Sequence, residues 1–194
     1  MSQAPEPGQA AAGPELVSSE LLHHNSRFDL RRDVVRLPSG LTQDLVWVDH
    51  PGAVGIAALE DDGRLVLVRQ YRHAVRQDLL EIPAGRLEPG EDRLQAAIRE
   101  LEEETGLRAA EWRLLRDIVP APGFASERLS IYLARGLSPA GPGAANCDED
   151  EELSLERHAP RDVLAGMTTD AKTLIAAAML LRIDGIDDEP PPAD

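Results

Sequence analysis

Between Gly85 and Leu107 the sequence reads GRLEPGEDRLQAAIRELEEETGL, and this segment has little freedom in how it folds. Pro89-Gly90 makes a turn, Asp92 can cap a helix, Glu91 stands beside the positive helix start, and Gly106 supplies a left-handed stop. Leu94, Ala97, Ile98 and Leu101 recur at i, i+3, i+4 and i+7, so the spacing predicts one helix with an apolar stripe facing a core. At about 100° per residue, Glu100, Glu103 and Glu104 gather on another flank, and Glu102 falls on the opposite side of the stripe.

Carboxylates crowded in this way repel each other unless cations sit between them. Hard oxygen donors of this kind suit Mg2+ or Mn2+. Arg99 stands one turn before Glu103 and within reach of Glu91, where it would hold the ligands in place. An acidic run alone is usually a solvated helix face. What favours a metal site here is that Gly85, Glu91, Arg99 and Gly106 all fall in register with the run.

The spacing of Gly85, Glu91, Arg99-Glu100-Leu101, Glu103-Glu104 and Gly106-Leu107 resembles the Nudix box, G-x5-E-x7-R-E-U-x-E-E-x-G-U, with every fixed position filled. The resemblance implies a metal-dependent hydrolase acting on a nucleoside diphosphate joined to another group. It also implies a fold of the α/β class (α+β type), an αβα sandwich with a mixed sheet, here preceded by a small N-terminal β region. The RQYR segment before LLEIPAG, the strands ahead of it, and Pro122 downstream of Leu107 are similar to the ADP-ribose pyrophosphatase subfamily. That likeness implies cleavage of ADP-ribose to AMP and ribose 5-phosphate with two or three Mg2+ or Mn2+ ions. Hydrolysis of a UDP- or GDP-linked sugar is the alternative, because the box grips diphosphate and metal rather than the base. A non-catalytic ADP-ribose sensor fits an intact box less well.

The same resemblance assigns roles. Metal is expected on Glu100, Glu103, Glu104 and the backbone carbonyl of Ala84, with Arg99 and Glu103 in the catalytic set. A further loop carboxylate is expected in DEDEE, residues 148–152, where Glu151 and Glu149 are the choices and Glu151 also a metal ligand. Arg72 would meet the diphosphate or terminal ribose, since an arginine fork suits phosphate oxygens. Phe28 and Trp47 would stack on adenine, and Pro122 and Glu127 would line the substrate region. Relatives of this kind are homodimers that exchange N-terminal strands, a role open to residues 15–50.

Composition bounds the rest. A net charge of −15, from 20 basic and 35 acidic residues, opposes nucleic-acid binding and fits a small, metal-bridged nucleotide substrate. The single cysteine, Cys147, excludes an internal disulfide and is compatible with a reducing cytoplasm. No run approaches a membrane span, and the opening MSQAPEPGQAAAGPE lacks a signal-peptide pattern. Residues 1–14 and 185–194 read as disordered tails, 15–50 as the β region and 51–184 as the hydrolase domain. Hairpins are expected around Pro38-Ser39-Gly40 and around Asp61-Asp62-Gly63, a strand at DLLEIPAG, and late helices at Pro160–Ala165 and Asp170–Leu181.

Overall fold

A computed structural model describes residues 13–141 and 153–183. The expectations for the two tails, apart from residues 13 and 14, and those for Cys147, Glu149 and Glu151 fall outside the described residues. The chain forms two compact units: one runs to His50 and adds Ala121–Glu127, and the other comprises Pro51–Pro120 and the chain from Arg128.

The first unit is an antiparallel sheet of β1 (Glu15–His24), β2 (Asp29–Arg36) and β3 (Thr42–Asp49), in that order. The expected turn at Pro38-Ser39-Gly40 joins β2 to β3. Leu37 N donates to Leu41 O at 2.8 Å, and Gly40 takes φ 85°, which favours glycine. Asn25 makes the preceding turn, its side-chain oxygen accepting from the amides of Arg27 and Phe28. Ala121–Glu127 belongs here because Val48 N donates to Phe124 O at 2.8 Å and Ser126 N to Val48 O at 2.9 Å. Every residue of β1 is exposed, including Leu16, Val17, Leu21 and Leu22.

The second unit contains two sheets. One has the order β7-β4-β9-β8, built from β4 (Ala53–Ala58), β7 (Ala84–Arg86), β8 (Leu107–Ile118) and β9 (Leu129–Pro139). The other has the order β10-β5-β6, from β5 (Leu65–Arg72), β6 (Gln77–Glu81) and β10 (Ser154–His158). The β4–β9 pair is parallel and the other ladders antiparallel, so the first of these sheets is mixed. Helices α1 (Arg93–Thr105), α2 (Pro160–Asp162) and α3 (Ala171–Ile183) complete the unit.

All six residues of β4 are buried, because a helix covers each face. Val54, Ile56 and Ala58 join Ala96, Ala97 and Leu101 of α1 in one core. Ala53 and Ala57 point the other way, into a core shared with Ala176, Ala177 and Leu180 of α3. That is the expected αβα layering. Each fully buried large aliphatic there contributes about 1.5–3 kcal/mol of transfer free energy.

Three local expectations are corrected. The turn at Asp61-Asp62-Gly63 forms, with Gly63 at φ 81°, but it does not join a hairpin. After one bridge, Leu59 to Leu65, β4 and β5 part into different sheets, because both are apolar on both faces and each finds its own partners. DLLEIPAG is two strands rather than one. Pro83 has no N–H to continue a ladder, Ile82 N turns to Thr173 Oγ1 at 2.8 Å, and the chain crosses from one sheet to the other. The first late helix stops after Asp162 and widens into a π-helical turn at Val163–Met167, where Gly166 at φ 118° cannot continue a helix. Thr173 N donates to Asp170 Oδ2 at 3.0 Å, so Asp170 stands just ahead of α3 as its cap.

Candidate active site

The helix at the centre of the motif begins and ends where its sequence predicts. Asp92 Oδ1 accepts from Leu94 N at 2.9 Å and from Gln95 N at 3.3 Å, and Gly106 closes the helix at φ 66°. Its buried face is rotated from the predicted stripe. Ala96, Ala97, Glu100, Leu101 and Thr105 are buried, whereas Leu94 and Ile98 lie half-buried at its rim. A carboxylate thus sits on the face that apolar periodicity alone reserves for hydrocarbon.

Glu100 is accommodated because residue 85 has no side chain. Gly85, paired with Val54 in the sheet, lies so close that a β-carbon on it would fall 1.9 Å from the Glu100 carboxylate. The first fixed residue of the motif therefore makes room for the tenth residue after the turn glycine, Gly90. Nearby, Glu104 Oε2 accepts from Ala84 N at 3.1 Å, which holds a second carboxylate on the same strand.

Arg99 binds the cluster together, using all five of its N–H donors. Nε and Nη2 fork onto Glu91 at 2.9 and 3.0 Å, and Nη1 reaches Glu100 Oε1 at 2.7 Å and Glu103 Oε2 at 2.9 Å. Nη2 also donates to the Arg86 carbonyl at 3.2 Å. The bonds to Glu91 raise the guanidinium above its already high ordinary value, against the opposing effect of burial, and Glu100 and Glu103 add to the rise. In return Arg99 holds the Glu91 carboxyl below the usual range, helped by the Glu88 amide. The reach from Arg99 to Glu91 is the one expected from sequence. Glu102 stands apart from this cluster, paired with the exposed Arg108 at 2.8 Å.

Among the described residues no three carboxylate, imidazole or thiolate groups are arranged around a point where a metal ion could sit. Arg99 supplies the positive charge between Glu100 and Glu103 in this geometry. The chemistry of the side chains suits a hard divalent cation, since Glu100, Glu103 and Glu104 of α1 all offer carboxylate oxygens.

Arg72 sits at the end of β5 and forks onto Glu81 of β6, with Nε to Oε1 at 2.6 Å and Nη2 to Oε2 at 2.8 Å. Glu81 is only 1% exposed. Burial pushes its carboxyl up, but Arg72 and Lys172 together outweigh burial and hold it below the usual range. Sequence reading missed Glu81, Lys172, Asp170 and Thr173. Their one local signal is the charged Glu81 inside the apolar run LLEIP.

Phe28, Trp47, Pro122 and Glu127 all belong to the first unit. Phe28 and Trp47 are half-buried, and Trp47 Nε1 donates to Asp33 at 2.8 Å. The more exposed phenylalanine is Phe124, which the sequence reading did not single out. Arg93 was also missed: Nη1 reaches Ser130 Oγ at 2.9 Å, and Ser130 in turn donates to Asp117, which fastens the start of α1 to β9 and β8.

The family model described as NUDIX domain matches residues 49–178. An ADP-ribose pyrophosphatase of Mycobacterium tuberculosis is 46% identical over 136 residues, which cover 70% of this chain and 66% of that protein. A methanol dehydrogenase activator of Bacillus methanolicus is 39% identical over 84% of this chain and 90% of its own. An ADP-ribose pyrophosphatase of Bacillus subtilis is 35% identical over the same two shares. Among solved structures, an ADP compounds hydrolase superposes with a TM-score of 0.77 at 23% identity, covering 90% of this chain and 96% of its own, which shows the fold.

Proposed function

Because the chain belongs to the Nudix family, we propose that it hydrolyses the diphosphate of ADP-ribose to AMP and ribose 5-phosphate. One observation carries the reading: relatives named ADP-ribose pyrophosphatase align across the motif in which Arg99 bonds Glu91, Glu100 and Glu103, Gly85 seats Glu100 and the Ala84 amide holds Glu104.

Glu100, Glu103, Glu104 and the Ala84 carbonyl would hold Mg2+ or Mn2+, two or three ions in all. Such ions, when bound, supply positive charge to the diphosphate oxygens and to the departing phosphate. The chain's own residues do the positioning. Glu100 is fixed by its seat on Gly85, Glu104 by the Ala84 amide, and Glu103 by Arg99. Arg99 spends every donor on this scaffold, so its task is to aim carboxylates rather than to bind substrate. Arg72, held in plane by Glu81, offers a partly exposed guanidinium to phosphate oxygens. Glu151 or Glu149 takes the proton from the attacking water, and Phe28, Trp47, Pro122 and Glu127 contribute to recognition of the nucleotide.

The reading extends to a cytoplasmic homodimer built through residues 15–50. The exposed Leu16, Val17, Leu21 and Leu22 of β1 support a second copy as the cover for that strand. Among the described residues no helix is long and apolar enough to cross a membrane.

A second reading, action on a partner enzyme, draws on the name of the Bacillus methanolicus relative. The experiment for both is hydrolysis of ADP-ribose, UDP-glucose, GDP-mannose and NADH side by side, with Mg2+, with Mn2+ and with chelator. Metal-dependent release of AMP from ADP-ribose ahead of the others supports the proposal. A UDP- or GDP-sugar in front displaces the substrate assignment. Tight ADP-ribose binding with no turnover displaces catalysis in favour of a sensor or activator.

A further inference from the structure

Lys172 is the single lysine in a sequence with 20 basic residues. Every other cationic side chain is arginine, yet at the start of α3 the chain places an ammonium, and it is partly buried, with 13% of its side chain exposed. Lysine is seldom buried without a partner, because its compact charge is strongly hydrated. Here the partners are Glu81 Oε2, in close contact, and Asp170 Oδ1 at 3.1 Å.

The position of Glu81 gives the contact its meaning. Its two oxygens hold Arg72 on one side and Lys172 on the other. The next residue, Ile82, is anchored to the same helix through Thr173 Oγ1, and that hydroxyl donates to Asp170 Oδ2 at 2.6 Å. Ala84 and Gly85, against which Glu104 and Glu100 lie, follow after Pro83. The first turn of α3 thus fixes both the strand end carrying Arg72 and the strand crossing that leads to the carboxylate seat.

Charge points the same way. A buried Glu81 paired with Arg72 alone would cancel the positive charge that a diphosphate needs. With Lys172 present, the ion-paired group of Arg72, Glu81, Lys172 and Asp170 is neutral, whereas without it the same group would carry one net negative charge. Asp170 is occupied in capping α3, where the helix N-terminus offsets its charge. An ammonium meets this need with three donors in a compact head, whereas a planar guanidinium would have to fork.

We infer that Lys172 is a positioning residue for diphosphate hydrolysis: it shares Glu81 with Arg72, so that Arg72 stays aligned and the group does not turn anionic at the substrate. The inference rests on the role of Arg72 proposed above and reaches the substrate only through it.

The test uses the full chain as wild type, Lys172→Met and Lys172→Arg, with kcat and KM for ADP-ribose in saturating Mg2+ and with thermal midpoints. Because there is one lysine, protein labelled with 13C-lysine gives one side-chain Cε signal, recorded while ADP-ribose is titrated in the presence of chelator. The expected result is a KM about tenfold higher in Lys172→Met with kcat within about threefold. Lys172→Arg should fall between wild type and Lys172→Met. The wild-type Cε signal should shift saturably with ADP-ribose. A Lys172→Met protein that loses only thermal stability and keeps its KM overturns the inference, as does a Cε signal indifferent to saturating ADP-ribose. The NMR arm needs no variant to fold. If wild type itself fails to cleave ADP-ribose, the functional reading falls and takes this inference with it, an outcome distinct from active wild type with an unaltered variant.

Discussion

The carboxylate of Glu100 occupies the space that a β-carbon on residue 85 would require. Gly85→Ala should therefore displace the glutamate or the strand beneath it. Overpacking of this kind costs about 1–3 kcal/mol, so the thermal midpoint should drop while activity falls at least about 100-fold. A variant with wild-type kcat/KM would show that Glu100 need not sit on that strand to work.

Glu102 and Glu104 differ by two positions but face different neighbours, Arg108 for the first and the Ala84 amide for the second. Glu104→Gln should keep the fold and lose about 100-fold or more in kcat/KM, since even residues that only support a metal ligand are worth 10–100-fold. Glu102→Gln should stay within about twofold of wild type, because an exposed pair contributes at most about 1 kcal/mol. Steady-state kinetics on the pair decides it, and equal losses would refute the assignment of helix faces.

An ammonium at position 99 has three donors where the guanidinium uses five. Arg99→Lys should keep the charge and lose the scaffold. We expect the Mg2+ concentration for half-maximal activity to rise about tenfold or more, read from a metal titration. An unchanged metal requirement would leave Arg99 with a folding role only.

Glu81 has a carboxyl held below its ordinary value in the fold, so it binds its proton less readily there than in the unfolded chain. Its contribution to stability is present above the ordinary carboxylate pKa and disappears as the pH falls through the lowered one. Wild-type thermal midpoints should fall on acidification from about pH 4.5 to about pH 3, the span that opens at the unfolded glutamate value. In Glu81→Gln the same curve should be measurably flatter, though lower at neutral pH. Parallel curves would mean that other carboxylates carry the acid sensitivity.

How much of this was legible beforehand depended on distance along the chain. Asp92, Gly106 and the Arg99–Glu91 fork act within one helix and its approach, where spacing alone fixes geometry. The fate of β4 and β5 was not legible, since the hairpin signal at Gly63 is local and the competing partner β9 lies some seventy residues on. The Glu81–Lys172 contact spans 91 residues and joins two unremarkable segments. Periodicity also misplaced the buried face of α1, because it counts apolar residues and cannot foresee a glutamate lodged on a glycine.

Gly106 ends α1 and Leu107 already begins β8, opposite Pro139, while the Gly106 carbonyl accepts from Ala140 N at 2.8 Å. The junction has no slack. In a strand, inward and outward positions alternate, so one residue inserted here would advance β8 by half a pleat repeat. Trp112, which packs against the core beside α1, would then exchange faces with its neighbours. The closing Gly-Leu of the motif thus sets the phase between helix and sheet, and a change in length there would turn β8 inside out with the carboxylate cluster intact.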